Sequence, residues 1–345
     1  MKKTAVFLLN LGGPDSLEAV QPFLFNLFYD PLIISLPNPL RYGLAKLISH
    51  RRTHEAQEIY SHMGGKSPIL ENTQKQCAAL QKLLPETLKV FPVMRYWHPR
   101  AQDVIQEALT WGAEDIMCLP LYPQYSTTTT ESSYKEIQAL LRDKGFSGAL
   151  RLACCYPEDP LWISGVVHET QKALEKAASL GPYRLVFSAH GLPEKVIKGG
   201  DPYEKQVENT VSKVVEKLGL PSLDWILAYQ SRVGPLKWIG PSTEDEVVRA
   251  AHEGMGIIVV PIAFVSEHSE TLVELDIQYR DLALKEGAAF YKRVPTVADH
   301  PDFIRALKNL LEKLLRTQSR VLCPLEGACS GQFKKCGGRL GRLSS

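Results

Sequence analysis

Two stretches of the sequence decide the fold: CLPLYPQYSTTTT at 118–130 and VVPIAFVSEHSET at 259–271. In each stretch an apolar run contains a proline and leads into a polar Ser/Thr/Glu segment of the kind that begins a helix. Two earlier stretches correspond in the same way, LLNLGGPDS at 8–16 and VFSAHGLPEK at 186–195. This pairing indicates an internal duplication.

Short β-rich apolar runs alternate with longer amphipathic runs along the whole chain. The predicted strands are Thr4–Leu11, Val90–Trp97, Asp115–Leu121, Ala149–Cys155, Arg184–Ala189, Trp225–Tyr229, Gly256–Phe264 and Ala289–Val294. The alternation predicts an α/β protein of two doubly wound, Rossmann-like halves, each with a four-stranded parallel sheet, and a cleft between them. We expect the N-terminal half at 1–156, the C-terminal half at 157–318 and a cysteine-containing tail at 319–345.

The composition is that of a globular protein, since the 345 residues are 44% hydrophobic and 23% charged. A net charge of +2 gives no indication of a nucleic-acid partner. No run reaches the roughly 18 apolar residues of a membrane span. The amino-terminal apolar run breaks at Gly12-Gly13-Pro14 without a cleavage pattern, and the seven cysteines are unevenly spaced, so we expect a cytoplasmic protein without a disulfide framework.

The segment at 261–279, PIAFVSEHSETLVELDIQY, carries the strongest chemical signal. An apolar strand runs into a helix whose first turns hold His268, Glu270 and Glu274. Carboxylates at i and i+4 face the same way on an α-helix. Ligands of open α/β sheets bind beyond the carboxyl ends of the strands, where His190 also lies. The pattern therefore predicts a metal or proton site.

An insertion at 19–52, AVQPFLFNLFYDPLIISLPNPLRYGLAKLISHRR, has no counterpart in the second half. Two interpretations of it stay open. It is either an extra helical layer over the core or an apolar lip that receives a large flat ligand or touches a membrane surface. In the second case its arginines would meet carboxylates or lipid headgroups.

The motifs taken together resemble those of the ferrochelatase family. The matching motifs are LLNLGGPDS (8–16), GGKSPI (64–69), RYWHP (95–99), YPQYSTTTTESS (122–133), FSAHGLPEK (187–195), GDPYEKQV (200–207), YQSRVGPLKWIGPST (229–243) and IAFVSEHSETLVELDIQY (262–279). The resemblance implies an enzyme that inserts Fe(II) into protoporphyrin IX, giving protohaem and two protons in the last step of haem biosynthesis. Imidazole suits the proton transfer because it titrates near neutral pH.

The resemblance also implies roles for individual residues. His190 would accept a pyrrole proton or alternatively bind iron, and the roles compete because a metal-bound nitrogen cannot accept a proton. Glu270 would be a partner ligand or base, with His268 and Glu274 beside it. Gln278 stands where several family members carry an acid, which shortens any acidic path into the site. The residues expected to contact the porphyrin are Leu11, Arg52, Tyr60, Ser67, Tyr122 and Trp238.

Three cysteines cluster near the carboxyl terminus: Cys323, Cys329 and Cys336. Some ferrochelatases bind a [2Fe–2S] cluster through a terminal group that begins Cys-Pro-Leu and one distant cysteine, and the cluster needs four ligands. Here Cys154 or Cys155 would supply the fourth thiolate. Glu326 and Thr127 occupy positions where that pattern has cysteine. A tail with incidental thiols and a zinc site remain alternatives.

Three other functions are compatible with the sequence. They are a coproporphyrin III ferrochelatase, another tetrapyrrole chelatase such as a sirohydrochlorin cobalt chelatase, and a haem- or metallophore-binding protein without catalysis. The apolar insertion favours a less polar porphyrin. The partners we expect are protoporphyrin IX, ferrous iron and, through residues 19–40, a membrane surface, but no nucleic acid.

Overall fold

The computed structural model describes residues 2–232, 234, 236–325 and 332–340. The described residues divide into two compact units. The first comprises Met1–Cys155, Leu307–Gln332 and Cys336–Ser345, and the second comprises Tyr156–Ala306 and Phe333–Lys335. The chain passes between the units at 155/156, next to the predicted boundary after residue 156, whereas residues 307–318 group with the first unit instead of the second.

Nine strands form in the described chain. They are β1 (Thr4–Asn10), β2 (Leu88–Met94), β3 (Asp115–Pro120), β4 (Leu150–Ala153), β5 (Tyr183–His190), β6 (Trp225–Gln230), β7 (Gly256–Pro261), β8 (Tyr291–Arg293) and β9 (Val321–Leu322). The helices are α1 (Val20–Phe28), α2 (Leu40–Ser61), α3 (Ile69–Gln81), α4 (Ala101–Trp111), α5 (Ser132–Asp143), α6 (Pro160–Ala177), α7 (Glu194–Lys198), α8 (Tyr203–Leu218), α9 (Thr243–His252), α10 (Tyr279–Lys285) and α11 (Pro301–Arg316).

Each unit contains one parallel sheet, and the two sheets share a strand order. The first sheet has the order β2-β1-β3-β4-β9 and the second has the order β6-β5-β7-β8. This arrangement confirms the α/β class and the two doubly wound halves. The first sheet has five strands instead of the predicted four, because Val321 and Leu322 pair with Leu152 and Ala153. Two residues are too few to produce a recognisable strand pattern.

The central strands are buried on both faces, which explains their continuous apolar runs. All residues of β1, β3 and β7 are buried. In the first unit, Phe7 and Ile116 pack with Ile105 and Ile137 of α4 and α5. In the second unit, β7 packs against α9 and α10. Burying one such side chain stabilises a fold by about 1.5–3 kcal/mol, so these layers fix the strand ends that carry polar residues.

The third strand of each sheet ends at a proline and is followed by a π-helical segment. Pro120 is paired with Leu9, and Pro261 is paired with Ser188. The π-helical segments are Thr127–Glu131 and Glu270–Gln278. The segment at 270–278 was expected to be α-helical, and that prediction was wrong at the level of helix type. Such wider turns are rare and occur frequently at functional sites.

The insertion at 19–52 is partly core and partly surface. Phe23 and Leu24 of α1 are buried with Tyr60, whereas Leu40 is 63% exposed and Tyr42 is 49% exposed. The buried residues agree with an extra helical layer over the core, and the exposed residues agree with an apolar lip. Within the described residues, no helix is long and apolar enough to cross a membrane.

Candidate active site and cysteine cluster

The second unit brings His190 and Glu270 into direct contact. His190 ends β5, and Glu270 begins the π-helical segment after β7. The Nδ1 atom of His190 lies 2.9 Å from Oε2 of Glu270. The side chains are 39% and 24% exposed, so the pair is accessible from solvent.

The electrostatics of this pair favour a charged carboxylate beside an imidazole. Desolvation opposes ionisation of Glu270, but the imidazoles of His190 and His268 and the hydroxyl of Ser231 lower its pKa to about 2. Desolvation likewise lowers the pKa of His190, but the carboxylates of Glu270 and Glu274 outweigh it and raise that pKa above its usual value. An ionised carboxylate only accepts hydrogen bonds, so Nδ1 of His190 donates and Nε2 is the atom that can take up a proton.

His268 lies near the same carboxylate oxygen of Glu270. Its Nδ1 atom is 3.1 Å from the carbonyl oxygen of Ser266, so Nδ1 carries the proton in this contact. Its Nε2 atom lies 3.9 Å from Oε2 of Glu270, too far for a hydrogen bond. In the neutral ring, Nε2 is a lone-pair donor beside a carboxylate oxygen. Such a pair is stabilised by a proton or a cation.

Glu274 is held by four hydrogen bonds. The amide of Gln230 donates to its Oε2 atom at 2.9 Å, and the hydroxyl of Ser231 donates to the same oxygen at 2.6 Å. The backbone N–H of Ser231 and the hydroxyl of Tyr279 donate to Oε1 at 2.8 and 3.0 Å. The carboxylate is thus fixed in one position next to the first turn of the segment.

Gln230, Ser231 and Tyr279 form a cradle around the Glu274 carboxylate. Two further hydrogen bonds connect this cradle to the rest of the site. Gln230 also donates to the backbone carbonyl of Glu270 at 3.1 Å, and Ser188 donates to the carbonyl oxygen of the Gln230 side chain at 2.8 Å. Ser231 has a positive φ of 62°, which directs both its N–H and its hydroxyl at Glu274. This conformation is uncommon outside glycine.

The cradle residues Gln230, Ser231 and Tyr279 were not among the predicted site residues. Gln230 gave a usable signal, because it is a polar residue at a strand end. Tyr279 follows Glu274 by five positions, the π-helical spacing, and its own backbone N–H bonds to the carbonyl of Glu274. Nothing in the sequence marks the backbone conformation of Ser231.

Arg293 anchors the segment that carries Glu270. Its side chain, 9% exposed, donates two hydrogen bonds of 2.7 Å to Asp276 and one of 3.0 Å to Glu267. The two carboxylates flank Glu270 in the sequence, so one guanidinium at the end of β8 holds the chain on both sides of Glu270.

Trp238 also lies beside His190. It forms an isolated bridge with Pro193, and a side chain at Gly191 would lie 3.3 Å from its ring. The indole Nε1 is buried and has no hydrogen-bond partner among the described residues. Tyr203 donates to the backbone carbonyl of His190 at 3.0 Å and so fixes the end of β5.

The other predicted porphyrin-contacting residues belong to the first unit. Leu11 packs against a buried cluster that includes Tyr60 of α2. Ser67 donates its backbone N–H to the carbonyl of Pro14 at 2.8 Å. Arg52 lies 6.0 Å from the ring of Phe28. Tyr122 follows β3, and burial raises the pKa of its hydroxyl.

Four cysteines of the first unit converge. The sulfur atoms of Cys154 and Cys155 are 3.5 Å apart. Hydrogen bonds from the thiols of Cys154, Cys155 and Cys336 lower the pKa of the Cys323 thiol. A side chain at Gly337 would lie 2.8 Å from Cβ of Cys154, so glycine is needed for this approach. Cys329 and Glu326 lie outside the described residues. The two other cysteines, Cys77 and Cys118, are buried elsewhere, in α3 and β3.

Comparison with known proteins gives consistent matches. The ferrochelatase family profile matches residues 3–315. A ferrochelatase of Pelagibacter ubique is 51% identical over 97% of this chain and 98% of its own length, and one of Wolbachia sp. subsp. Drosophila simulans is 49% identical over 89% and 98%. The solved structure of SirB from Bacillus subtilis with Fe3+ shares the fold, with a TM-score of 0.55, 12% identity and coverage of 92% of this chain and 96% of its own. The chain therefore belongs to the ferrochelatase family of metal-inserting enzymes.

Proposed function

We propose that this enzyme inserts Fe(II) into protoporphyrin IX with release of two protons, and that His190 and Glu270 carry the reaction. The single observation that supports this assignment is the 2.9 Å contact between them in a chain of this family. A porphyrin must lose two pyrrole protons as the metal enters, so the site needs a base and an anion that stabilises the protonated base.

In this proposal His190 accepts a pyrrole proton through Nε2. Glu270 orients the ring through Nδ1 and stabilises the imidazolium that forms. The raised pKa of His190 makes it a stronger base than a free imidazole. Iron ligation by His190 is the competing role, and it would use the same Nε2 atom.

His268 and Glu270 are our candidates for the atoms that meet the metal. Nε2 of His268 and Oε2 of Glu270 are separated by 3.9 Å, and imidazole and carboxylate both suit divalent iron. Glu274 is then a positioning residue, because its two oxygens already accept four hydrogen bonds. We propose porphyrin contact for Leu11, Arg52, Tyr60, Ser67, Tyr122 and Trp238.

A steady-state assay tests the function. Purified protein is supplied with Fe(II) or Zn(II) and with either protoporphyrin IX or coproporphyrin III, and metalloporphyrin formation is followed by absorbance. We expect turnover with protoporphyrin IX to exceed turnover with coproporphyrin III. Faster turnover with coproporphyrin III would identify that porphyrin as the substrate instead of protoporphyrin IX. Absence of turnover with both porphyrins would overturn the proposed function.

We further propose that Cys323, Cys329, Cys336 and one of Cys154 and Cys155 hold a [2Fe–2S] cluster. The convergence of Cys323 and Cys336 with Cys154 and Cys155 supports a metal centre, because cysteine thiolates are the usual protein ligands of such clusters. Such a cluster supplies redox chemistry, and no step of the proposed reaction depends on it.

Anaerobic purification followed by iron and sulfide analysis tests the cluster. Two iron and two sulfide ions per chain, together with visible absorbance, are expected. Replacing Cys154 and Cys155 singly by serine then identifies the fourth ligand, since only one variant should lose the iron. Colourless protein containing zinc would favour the zinc site instead.

A membrane role for the insertion is our remaining proposal, together with a cytoplasmic location. The exposed apolar residues Leu36, Leu40, Tyr42 and Leu47 lie close in sequence to Arg41, Lys46 and Arg51, a composition that suits a lipid surface. Co-sedimentation with anionic vesicles should fall when Leu40 and Tyr42 are both replaced by serine. Equal sedimentation of the two proteins would exclude this surface.

A further inference from the structure

A second cluster of potential metal ligands lies in the second unit, outside the site described above. It consists of His168 and Glu169, from the middle of α6, and His300, which directly precedes α11. One ligand atom from each residue lies within 4.8 Å of the others. The ring centroids of the two histidines are 4.9 Å apart at an angle of 59°. None of the three residues takes part in the proposed iron insertion.

We propose that His168, Glu169 and His300 bind one divalent transition-metal ion. Two imidazoles and one carboxylate form a ligand set suited to zinc, cobalt or ferrous iron, and three protein ligands leave positions for water. The set contains no thiolate, so it differs in chemistry from the cysteine cluster of the first unit.

The backbone around His300 is arranged so that its ring approaches α6. Ala298, two positions earlier, has a positive φ of 45°, which is costly for a residue with a side chain. Gly165 of α6 faces the same loop, where a side chain would lie 3.3 Å from Val297 and 3.6 Å from Nδ1 of His300. Glycine inside a helix costs roughly 0.5–1 kcal/mol relative to alanine. Both features are unfavourable locally, and both bring the histidine to the helix.

Two atoms of this ligand set already have hydrogen-bond partners. The backbone N–H of Asp302 donates to Nδ1 of His300 at 3.2 Å, and Lys172 donates to Oε1 of Glu169 at 3.1 Å. The first bond is long and lies at the start of α11, where water can replace it. The second uses one of two carboxylate oxygens, and the lysine is a surface side chain half exposed to solvent. Neither contact blocks the site.

Equilibrium dialysis of the full chain against Zn(II) tests the proposal. Zinc bound per chain is compared between the wild-type protein, His168→Ala and the double variant His168→Ala/His300→Ala. His168 is half exposed, so its replacement is not expected to disturb folding. The double variant should bind one zinc ion fewer per chain. The single variant should bind that ion at least about tenfold more weakly, because even changes in the outer shell of a metal site have effects of this size.

The matched control is His252→Ala. His252 lies 3.0 Å from Glu286, an exposed pair with one imidazole, and should not contribute a zinc site. The same dialysis with His190→Ala separates this proposal from the proposed active site, because that variant should retain the zinc ion that the double variant His168→Ala/His300→Ala loses. An unchanged zinc content in both His168→Ala and the double variant would refute the site, whether or not the proposed porphyrin chemistry is correct.

Discussion

The two sheets share a strand framework. At three equivalent positions at or beyond the strand ends, however, only the second half carries ionisable side chains. Pro120 and Pro261 end equivalent strands and pair with Leu9 and Ser188. Leu11 lies two residues after Leu9, and His190 lies two residues after Ser188, so Leu11 corresponds to His190. Thr129 corresponds in the same way to Glu270, and Ser133 to Glu274.

The two halves also share buried residues around their π-helical segments. Thr130 and Thr271 occupy equivalent positions and are both completely buried. Each lies in or beside a π-helical segment that follows the third strand. The first segment is held by a different set of contacts, which includes the bond from the N–H of Thr128 to the hydroxyl of Ser126 and the bond from the hydroxyl of Tyr125 to the Glu131 carboxylate. The difference teaches that two copies of one strand framework can carry different chemistry through the side chains at equivalent strand ends.

The largest effect should come from removing the base that distinguishes the second half. Replacing His190 by alanine eliminates the proposed proton acceptor and should lower kcat by about 10²–10⁴, the range for a general base. The equivalent change in the first half, Leu11→Ala, removes only apolar contact area. It should raise KM for the porphyrin while kcat changes little. Steady-state kinetics on both variants measure the contrast.

Porphyrin binding, followed by fluorescence quenching, serves as the control for His190→Ala and should persist. Equal loss of kcat in both variants would show that the two strand ends contribute alike. That result would remove the functional distinction between the halves.

The next largest effect concerns Arg293, which anchors the second segment. Arg293→Gln leaves the partly buried carboxylates of Glu267 and Asp276 without their shared cation, and breaking a buried ion pair in this way costs about 3–5 kcal/mol. Urea unfolding should show a loss of this size. Arg280→Gln, which removes an exposed pair with Asp281, should cost less than about 1 kcal/mol. Similar losses in the two variants would show that Arg293 is no special anchor.

The sequence predicted the framework well because parallel strands buried on both faces and amphipathic helices leave clear periodic signals. Amphipathic runs at 101–111, 160–177 and 203–218 predict helices, and helices α4, α6 and α8 have these bounds. The sequence also predicted a site containing His190, Glu270 and His268, and the structure brings these three side chains close together.

Other features depend on geometry that no local pattern encodes. The π-helical form of 270–278, the left-handed conformation of Ser231 and the pairing of β9 follow from tertiary contacts. The convergence of Cys154 with Cys323 likewise joins residues far apart in the chain. Hydrophobic periodicity reports which face is buried, and it carries no information about such contacts.

A pH profile compares Glu270 of the second π-helical segment with Glu131 of the first. Neutral His190 is the accepting form, and Glu270 raises its pKa, so kcat/KM should rise with pH through that raised value. Glu270→Gln removes the anion, lowers the pKa of His190 and should move the acidic limb of the profile to lower pH. Glu131→Gln in the first segment, whose carboxylate bonds to Tyr125, should leave the limb in place. An unmoved limb in Glu270→Gln would show that His190 is not the titrating base.

The smallest effect tests the backbone of Ser231, where two opposing contributions nearly cancel. Ser231→Gly relieves a left-handed conformation worth roughly 1–2 kcal/mol, but it loses the hydroxyl bond to the Glu274 carboxylate, worth about 1.5–3 kcal/mol. The free energy of unfolding should therefore change by only about 1 kcal/mol. Ser231→Ala keeps the strained conformation and loses the same bond, so it should be the more destabilising of the two in urea unfolding. If alanine were tolerated better than glycine, the φ of 62° would not be a source of strain, and Glu274 would be held by the fold without help from this residue.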